Sequence, residues 1–144
     1  MTVEVRATPF DPWLEISRYQ DTLLALHGKY GATASFVGTL RDRNQGDAVR
    51  EMTLEHYPDM TEKFMQRICD EATQRWEILD TLVIHRCGHL QINDPIVLIA
   101  VWSAHRAAAF AACQYLIDEL KQRAPFWKRE ELAAGGRWVE QNTR

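Results

Sequence analysis

The chain has few cysteines, and none of them form a pair with metal-binding spacing. Of its 144 residues, only Cys69, Cys87 and Cys113 are cysteines. An odd number without a CxxC pair argues against a disulfide framework and a zinc ribbon, and predicts that the thiols are small apolar side chains of the interior. His85 and His89 are spaced like two helical metal ligands, but they lie in a strand-like run without a third ligand. We therefore expect no metal site.

Strong charge of one sign and long apolar runs are also missing. The net charge is −3 and the pI is about 5.9, so no overall basic field indicates nucleic-acid binding. No run approaches the roughly 18 apolar residues of a transmembrane helix. The N-terminal sequence MTVEVRATPF lacks the basic and apolar regions of a signal peptide, so we expect a cytoplasmic protein.

The composition fits an ordinary globular domain. The apolar fraction is 46% and the charged fraction is 26%, as is typical of folded domains, and the length is sufficient for a hydrophobic core. No repeat, low-complexity segment or linker divides the chain. The sequence therefore predicts one domain over residues 1–144.

Hydrophobic periodicity predicts three main helices among several strands. The helices are expected at 11–31, 61–79 and 105–122, and the strands at 31–40, 49–57, 81–93, 95–104 and 137–141. The nearly continuous apolar run at 95–104 predicts a central strand that is covered on both faces. Residues 41–50 are charged and contain glycine, which predicts an exposed loop. Adjacent hairpins mixed with helices favour an α+β fold.

The segment LKQRAPFWKREE, residues 120–131, places Lys121 and Lys128 on either side of Pro125. Proline removes a backbone donor and clashes with the preceding turn, so the third helix should end near residues 123–124. A lysine is useful as an acid, base or nucleophile when burial or other cations lower its pKa. Phe126 and Trp127 are candidates for the apolar walls of such a site.

Additional positive charge near these lysines is expected from Arg123 and Arg129, and it would also lower a lysine pKa. The alternative is that the lysines only complement the dipole of the helix C-terminus. The sequence by itself leaves both interpretations open.

Two further segments are rich in groups that bind anions. Arg41 and Arg43 follow a predicted strand in GTLRDRNQG, and a planar guanidinium suits phosphate or carboxylate. The alternative is a solvated loop without a ligand. In SAHRAAAF, Ser103 is a candidate helix cap, and His105 and Arg106 lie in the first turn, where free N–H groups already favour anions. The alternative there is a core histidine and an arginine paired at the surface.

His105 and Lys121 lie at opposite ends of the predicted third helix. Sixteen residues of helix span about 24 Å, so the two side chains cannot touch one small substrate within a single chain. They belong to separate sites, or a two-fold dimer brings His105 of one copy near Lys121 of the other.

Five segments of the chain, in the same order, resemble the large catalytic subunit of molybdopterin synthase. They are ASFVGTLRDRNQG, LEHYPDM, IHRCGHLQIND, VWSAHRAAAFAAC and LKQRAPFWKREE. The resemblance extends from about Val3 to Glu140. It implies a single-domain α+β fold of the hammerhead type, with a mixed sheet and three main helices.

The resemblance also implies an activity and a set of partners. Enzymes of this family transfer sulfur from the C-terminal Gly-Gly thiocarboxylate of a small ubiquitin-like subunit to cyclic pyranopterin monophosphate, which forms the molybdopterin dithiolene. The large subunits form a homodimer within a heterotetramer. The resemblance implies no cofactor and no metal, and the sulfur comes from the partner rather than from a cysteine of this chain.

Carried over by motif, Lys121 and Lys128 resemble the two catalytic lysines of the family, with Lys121 the more critical. A transient covalent link through Lys121 is an alternative to acid–base chemistry. Arg41 resembles the loop arginine of the site, and Phe36 matches an aromatic residue near the pocket. The C-terminal sequence EQNTR departs from the basic tail of some relatives, which puts a pocket role for residues 142 and 144 in doubt.

His105 and Arg106 resemble an anion-binding pair that the second copy of the subunit contributes. The substrate phosphate and the thiocarboxylate are both anions, and cations reduce their mutual repulsion. Two other classes of function remain open. One is a module that binds a ubiquitin-like protein without catalysis, and the other is a phosphate- or RNA-binding domain that uses the Arg41 segment.

Overall fold

The computed structural model describes residues 1–132 and 135–139, with every side chain among them except that of Trp127. Within these ranges the chain forms three α-helices, nine strands and a 3-10 helix at Leu24–Leu26. Their order is β1 (Thr2–Arg6), α1 (Pro12–Thr22), β2 (Ala32–Thr39), β3 (Arg43–Asn44), β4 (Asp47–His56), α2 (Pro58–Arg75), β5 (Asp80–Arg86), β6 (Gly88–Gln91), β7 (Pro95–Ser103), α3 (Arg106–Arg123), β8 (Phe126–Leu132) and β9 (Gly135–Val139).

The first sheet carries the main core. Its strand order is β1-β5-β7-β2, with β1 parallel to β5 and the other pairs antiparallel. One face packs against α2 and α3 through a cluster that includes Ile68, Ile99 and Leu116. The other face has a smaller cluster around Trp102, which partly buried residues of α1 cover. Because both faces are covered, β7 is almost entirely buried, which confirms the predicted central strand.

The second sheet is antiparallel. Its strands follow the order β3-β4-β8-β9, and β6 also pairs with β4. The chain passes from the first sheet to the second at Cys87, between β5 and β6, and Gly88 has a positive φ of 82° there. Glycine adopts this conformation without a side-chain penalty. The single strand expected at 81–93 is therefore wrong, because it consists of two strands in different sheets.

The α+β class, with three main helices and mixed sheets, is confirmed. None of the helices in the described part of the chain is long and apolar enough to cross a membrane.

The segment 41–50 is mostly exposed, as expected, but most of it is not a loop. Residues from Arg43 onward form the β3–β4 hairpin, whose turn residues Gln45 and Gly46 have φ values of 53° and 81°. Two consecutive positive φ values are what a two-residue hairpin turn of type I′ requires. Charged side chains obscured this hairpin in the sequence, since its strands lack a continuous apolar face.

Two helix boundaries differ from the expected ones. α1 begins as expected, with Asp11 accepting hydrogen bonds from two backbone N–H groups, but it ends at Thr22, whose hydroxyl bonds to the carbonyl of Tyr19 at 2.6 Å. Such local bonds compete with continuation of the helix. α2 begins three residues early, at Pro58, and ends at Arg75. Proline suits the first helical position because its missing N–H would have no helical partner.

Part of the apolar stripe expected on α1 does not enter the core. Trp13 is 64% exposed and Leu14 is 44% exposed, whereas Ile16 packs on the first sheet. Strands β1 and β8 were not predicted at all. β8 carries Lys128, Arg129, Glu130 and Glu131 in succession, so it lacks the apolar alternation that marks a half-buried strand.

Candidate active site

The connection between α3 and β8 brings the two predicted lysines together. α3 ends at Arg123 and Ala124 caps it in an extended conformation, as expected from Pro125. β8 begins immediately afterwards and runs antiparallel to β4, with Lys128 opposite Leu54. Since the chain leaves the helix and enters the second sheet here, Lys128 is directed back toward the last turn of α3.

Both lysines line one cavity of about 320 Å³ at the junction of the two sheets. Phe36 from β2 and Arg41 from the segment after β2 line the same cavity. The structure therefore brings together four of the six predicted site residues. The lining also includes side chains from β3, β5 and β8, among them Asn44, His85, Phe126 and Glu130.

The environment of the cavity makes both lysines easier to deprotonate. Burial, followed by the positive charge of Arg41, lowers the pKa of Lys121. Burial, followed by the charge of Lys121, lowers the pKa of Lys128 to about 8, although the carboxylate of Glu130 acts in the opposite direction. A pKa near 8 suits a group that exchanges protons near neutral pH. The two lysines form a coupled pair of cations rather than independent surface charges.

The two arginines that were expected to lower the lysine pKa values, Arg123 and Arg129, form ion pairs with carboxylates instead. Arg123 is ion-paired with Glu119 and Glu71, and Arg129 pairs with Glu131 at 3.0 Å. These carboxylates offset the two guanidinium charges, and Arg41 takes the role that was expected of them. Of the two expected apolar walls, Phe126 lines the cavity. The side chain of Trp127 lies outside the described part of the structure, as do residues 142 and 144.

A buried polar cluster holds the cavity wall formed by β8. Glu130 is only 3% exposed. Its Oε1 accepts hydrogen bonds from Asn44 Nδ2 at 3.0 Å and from Arg137 Nε at 3.1 Å. Arg137 also donates to Asp47 and to the Asn44 carbonyl. A buried carboxylate is tolerated when it is paired in this way, and the cluster ties β8 and β9 to the β3–β4 hairpin.

His85 is a cavity residue whose role the sequence did not indicate. Its ring is 8% exposed and stacks on Phe126, with ring centroids 3.9 Å apart and an interplanar angle of 19°. Burial above all lowers its pKa to about 3. A single histidine in an apolar strand is indistinguishable in sequence from a core residue. His89 belongs to β6 instead and pairs with Glu51 at 2.9 Å.

His105 and Arg106 lie at the opposite end of α3 from Lys121. His105 is the N-cap residue and Arg106 is the first helical residue. Both are exposed, and neither lines the cavity. The intervening helix spans about 24 Å, so the structure does not bring this pair to the lysines within one chain. The expected Ser103 cap is wrong, because Ser103 is buried and its hydroxyl donates to the carbonyl of His105.

The three cysteines do not belong to the lysine cavity. Cys69 and Cys113 are buried, as expected, and Cys87 is half-buried. Burial raises the pKa of both Cys69 and Cys113 to about 11, which disfavours the reactive thiolate. None of the three lines the lysine cavity.

The chain is similar to a set of proteins of known family. The model of the MoaE protein family matches residues 10–123. The molybdopterin synthase catalytic subunit of Ralstonia nicotianae is 52% identical over 139 residues, which cover 96% of this chain and 77% of that protein.

Two solved structures share the fold over nearly the whole chain. The molybdopterin biosynthesis MoaE protein from Burkholderia ambifaria is 43% identical with a TM-score of 0.80, covering 99% of this chain and 90% of that one. The molybdopterin synthase crystal structure from Staphylococcus aureus is 31% identical with a TM-score of 0.78, covering 96% of each chain. By family match, sequence identity and fold, the chain belongs to the MoaE family.

Proposed function

We propose that this protein is the catalytic subunit of a molybdopterin synthase. In this role it transfers sulfur from the C-terminal thiocarboxylate of a small ubiquitin-like subunit to cyclic pyranopterin monophosphate. The observation that carries the proposal is the pair of lysines, one from α3 and one from β8, that share one cavity and have lowered pKa values. The names of its relatives, which include molybdopterin synthase catalytic subunits, support the same assignment.

The cations of the cavity match the charges of both reactants. A thiocarboxylate and a phosphorylated pterin repel each other, and Lys121, Lys128 and Arg41 reduce that repulsion. Each transfer forms a bond between the thiocarboxylate sulfur and a substrate carbon and expels a substrate oxygen as water, and a water molecule then cleaves the acyl–sulfur bond, which leaves the small subunit as an ordinary carboxylate. A proton must therefore reach the leaving substrate oxygen. We assign this proton transfer to Lys121, with Lys128 assisting and orienting the substrate. Phe36 contributes an apolar wall near the substrate.

We assign His105 and Arg106 to the active site of the other copy in a homodimer. In a two-fold dimer, the N-terminus of α3 from one copy approaches the cavity of the other and supplies the phosphate site. The exposure of both side chains leaves them available for this contact. The complete assembly is then a heterotetramer with one small subunit for each catalytic chain. The single domain over 1–144 and the cytoplasmic location belong to the same proposal.

Reconstitution tests the activity directly. The protein is mixed with a thiocarboxylated small subunit and cyclic pyranopterin monophosphate, and molybdopterin is quantified by fluorescence after oxidation. Parallel mixtures contain a small subunit that ends in an ordinary carboxylate. We expect product only with the thiocarboxylate. If the small subunit binds but no product forms, the protein is a non-catalytic binding module and the proposal is wrong.

A further inference from the structure

The imidazole of His85 is held in a fixed orientation at the wall of the lysine cavity. Its Nδ1 lies 2.8 Å from the carbonyl oxygen of Arg86, and its face stacks on Phe126. The pairing between β5 and β7 ends at His85, which lies opposite Val97. Arg86 follows this last pair, so its carbonyl lies beyond the hydrogen bonds that join β5 to β7. Both the edge and the face of the ring are therefore fixed by neighbouring groups.

This arrangement determines which ring nitrogen carries the proton. A carbonyl oxygen can only accept, so Nδ1 must be the N–H donor and Nε2 must be the acceptor of a neutral ring. Among residues 1–132 and 135–139, Nε2 has no hydrogen-bond partner, and it is not one of the fully buried polar atoms. Because His85 lines the cavity, Nε2 is available to a molecule that occupies it.

Uncharged acceptors are few among the polar groups around it, and the Oδ1 of Asn44, which also lacks a partner among the described residues, is fully buried. Lys121, Lys128 and Arg41 line the cavity as cationic donors. Glu130 is also an acceptor, but it is a charged carboxylate whose Oε1 already receives two hydrogen bonds. Burial and the nearby lysines keep His85 neutral at physiological pH. A substrate anion is therefore matched by the cations, whereas a neutral N–H group of the same substrate has Nε2 as its acceptor.

We propose that His85 is a substrate-contacting residue whose Nε2 accepts a hydrogen bond from an N–H group of the pterin ring. This inference rests on the proposed function, because it assumes that the cavity receives the pterin. The contact orients the ring while the lysines and Arg41 engage its anionic and reacting parts. It also favours a ring that presents an N–H donor over a phosphorylated molecule without one.

Three substitutions separate this contact from the packing role of the ring. His85→Gln places an amide oxygen near the position of Nε2, and His85→Asn retains only a group near Nδ1, which can still donate to the Arg86 carbonyl. His85→Phe keeps the stacking on Phe126 and removes both nitrogens. Each variant is assembled with the small subunit. Binding of cyclic pyranopterin monophosphate is then measured at equilibrium, and KM and kcat are measured in the reconstituted reaction.

We expect His85→Asn and His85→Phe to weaken pterin binding by about tenfold, as the loss of one hydrogen bond predicts, and to raise KM more than they lower kcat. His85→Gln should recover most of the affinity. The inference is overturned if the active wild type and His85→Phe bind the pterin equally. It is also overturned if His85→Gln and His85→Asn lose affinity to the same extent, which indicates packing alone. If wild type itself binds no pterin, the proposed function fails together with this inference.

Discussion

Replacement of Lys128 by methionine should stabilise the protein while it removes activity. Burial lowers the pKa of this lysine from its ordinary value of 10.5 to about 8. Below pH 8 the folded protein therefore holds an incompletely solvated ammonium that the unfolded chain exposes to water. A difference of about 2.5 between the two pKa values corresponds to about 3 kcal/mol. Partial solvent access reduces this cost to about 2 kcal/mol.

The pH dependence follows from the direction of the shift. Between pH 8 and 10.5 the unfolded chain binds more protons at this site than the folded chain does, so the free energy of unfolding of wild type rises with pH in that window. The advantage of Lys128→Met is therefore complete below pH 8 and disappears above about pH 10.5. At pH 7 the melting temperature of the variant should rise by roughly 6 °C for a domain of this size.

Thermal and urea unfolding of wild type and Lys128→Met at pH 7 and pH 10.5 measure this effect. Lys63→Met is the matched control, because Lys63 is an exposed lysine on α2, where a substitution should change stability by at most about 0.5 kcal/mol. If Lys128→Met is no more stable than wild type at pH 7, or if its advantage is the same at both pH values, burial does not lower this pKa and the reasoning is wrong.

Two further predictions concern the source of sulfur and the composition of the site. A variant with Cys69, Cys87 and Cys113 all replaced by alanine should keep its rate of sulfur transfer, because in the proposed reaction the sulfur comes from the partner. Loss of transfer with an unchanged circular dichroism spectrum would contradict that. Copies carrying Lys121→Ala, mixed with copies carrying Arg106→Ala, should regain about a quarter of wild-type activity, since mixed dimers have one intact composite site. Activity no higher than that of either inactive parent, in a mixture that contains mixed dimers, would contradict the composite site.

Regular periodicity explains which parts of the fold were predictable. The apolar run of β7 and the helix that Pro125 ends are both local patterns, and both were found where expected. β8 was missed because its cavity-facing positions hold Lys128 and Glu130 rather than apolar residues. A strand that builds a polar site loses the alternation by which strands are recognised.

The candidate site was predictable as a set of residue types but not as a geometry. Lys121, Lys128, Arg41 and Phe36 were identified from chemistry and resemblance, and all four line one cavity. The role of His85 depends on where β5 ends and on the Phe126 ring above it. The stacking contact joins residues 41 positions apart, and no local pattern in the sequence encodes it.

The central claim is that Lys121 carries the proton transfers of sulfur incorporation. Its most direct test is the single-turnover rate of molybdopterin formation by Lys121→Ala in the reconstituted complex. Arg123→Ala is the control, since Arg123 lies on the same last turn of α3 but pairs with Glu119 outside the cavity. We predict that Lys121→Ala loses at least about 100-fold in rate, while it still binds the small subunit and Arg123→Ala remains close to wild type. A folded Lys121→Ala that matches wild type would contradict the assignment.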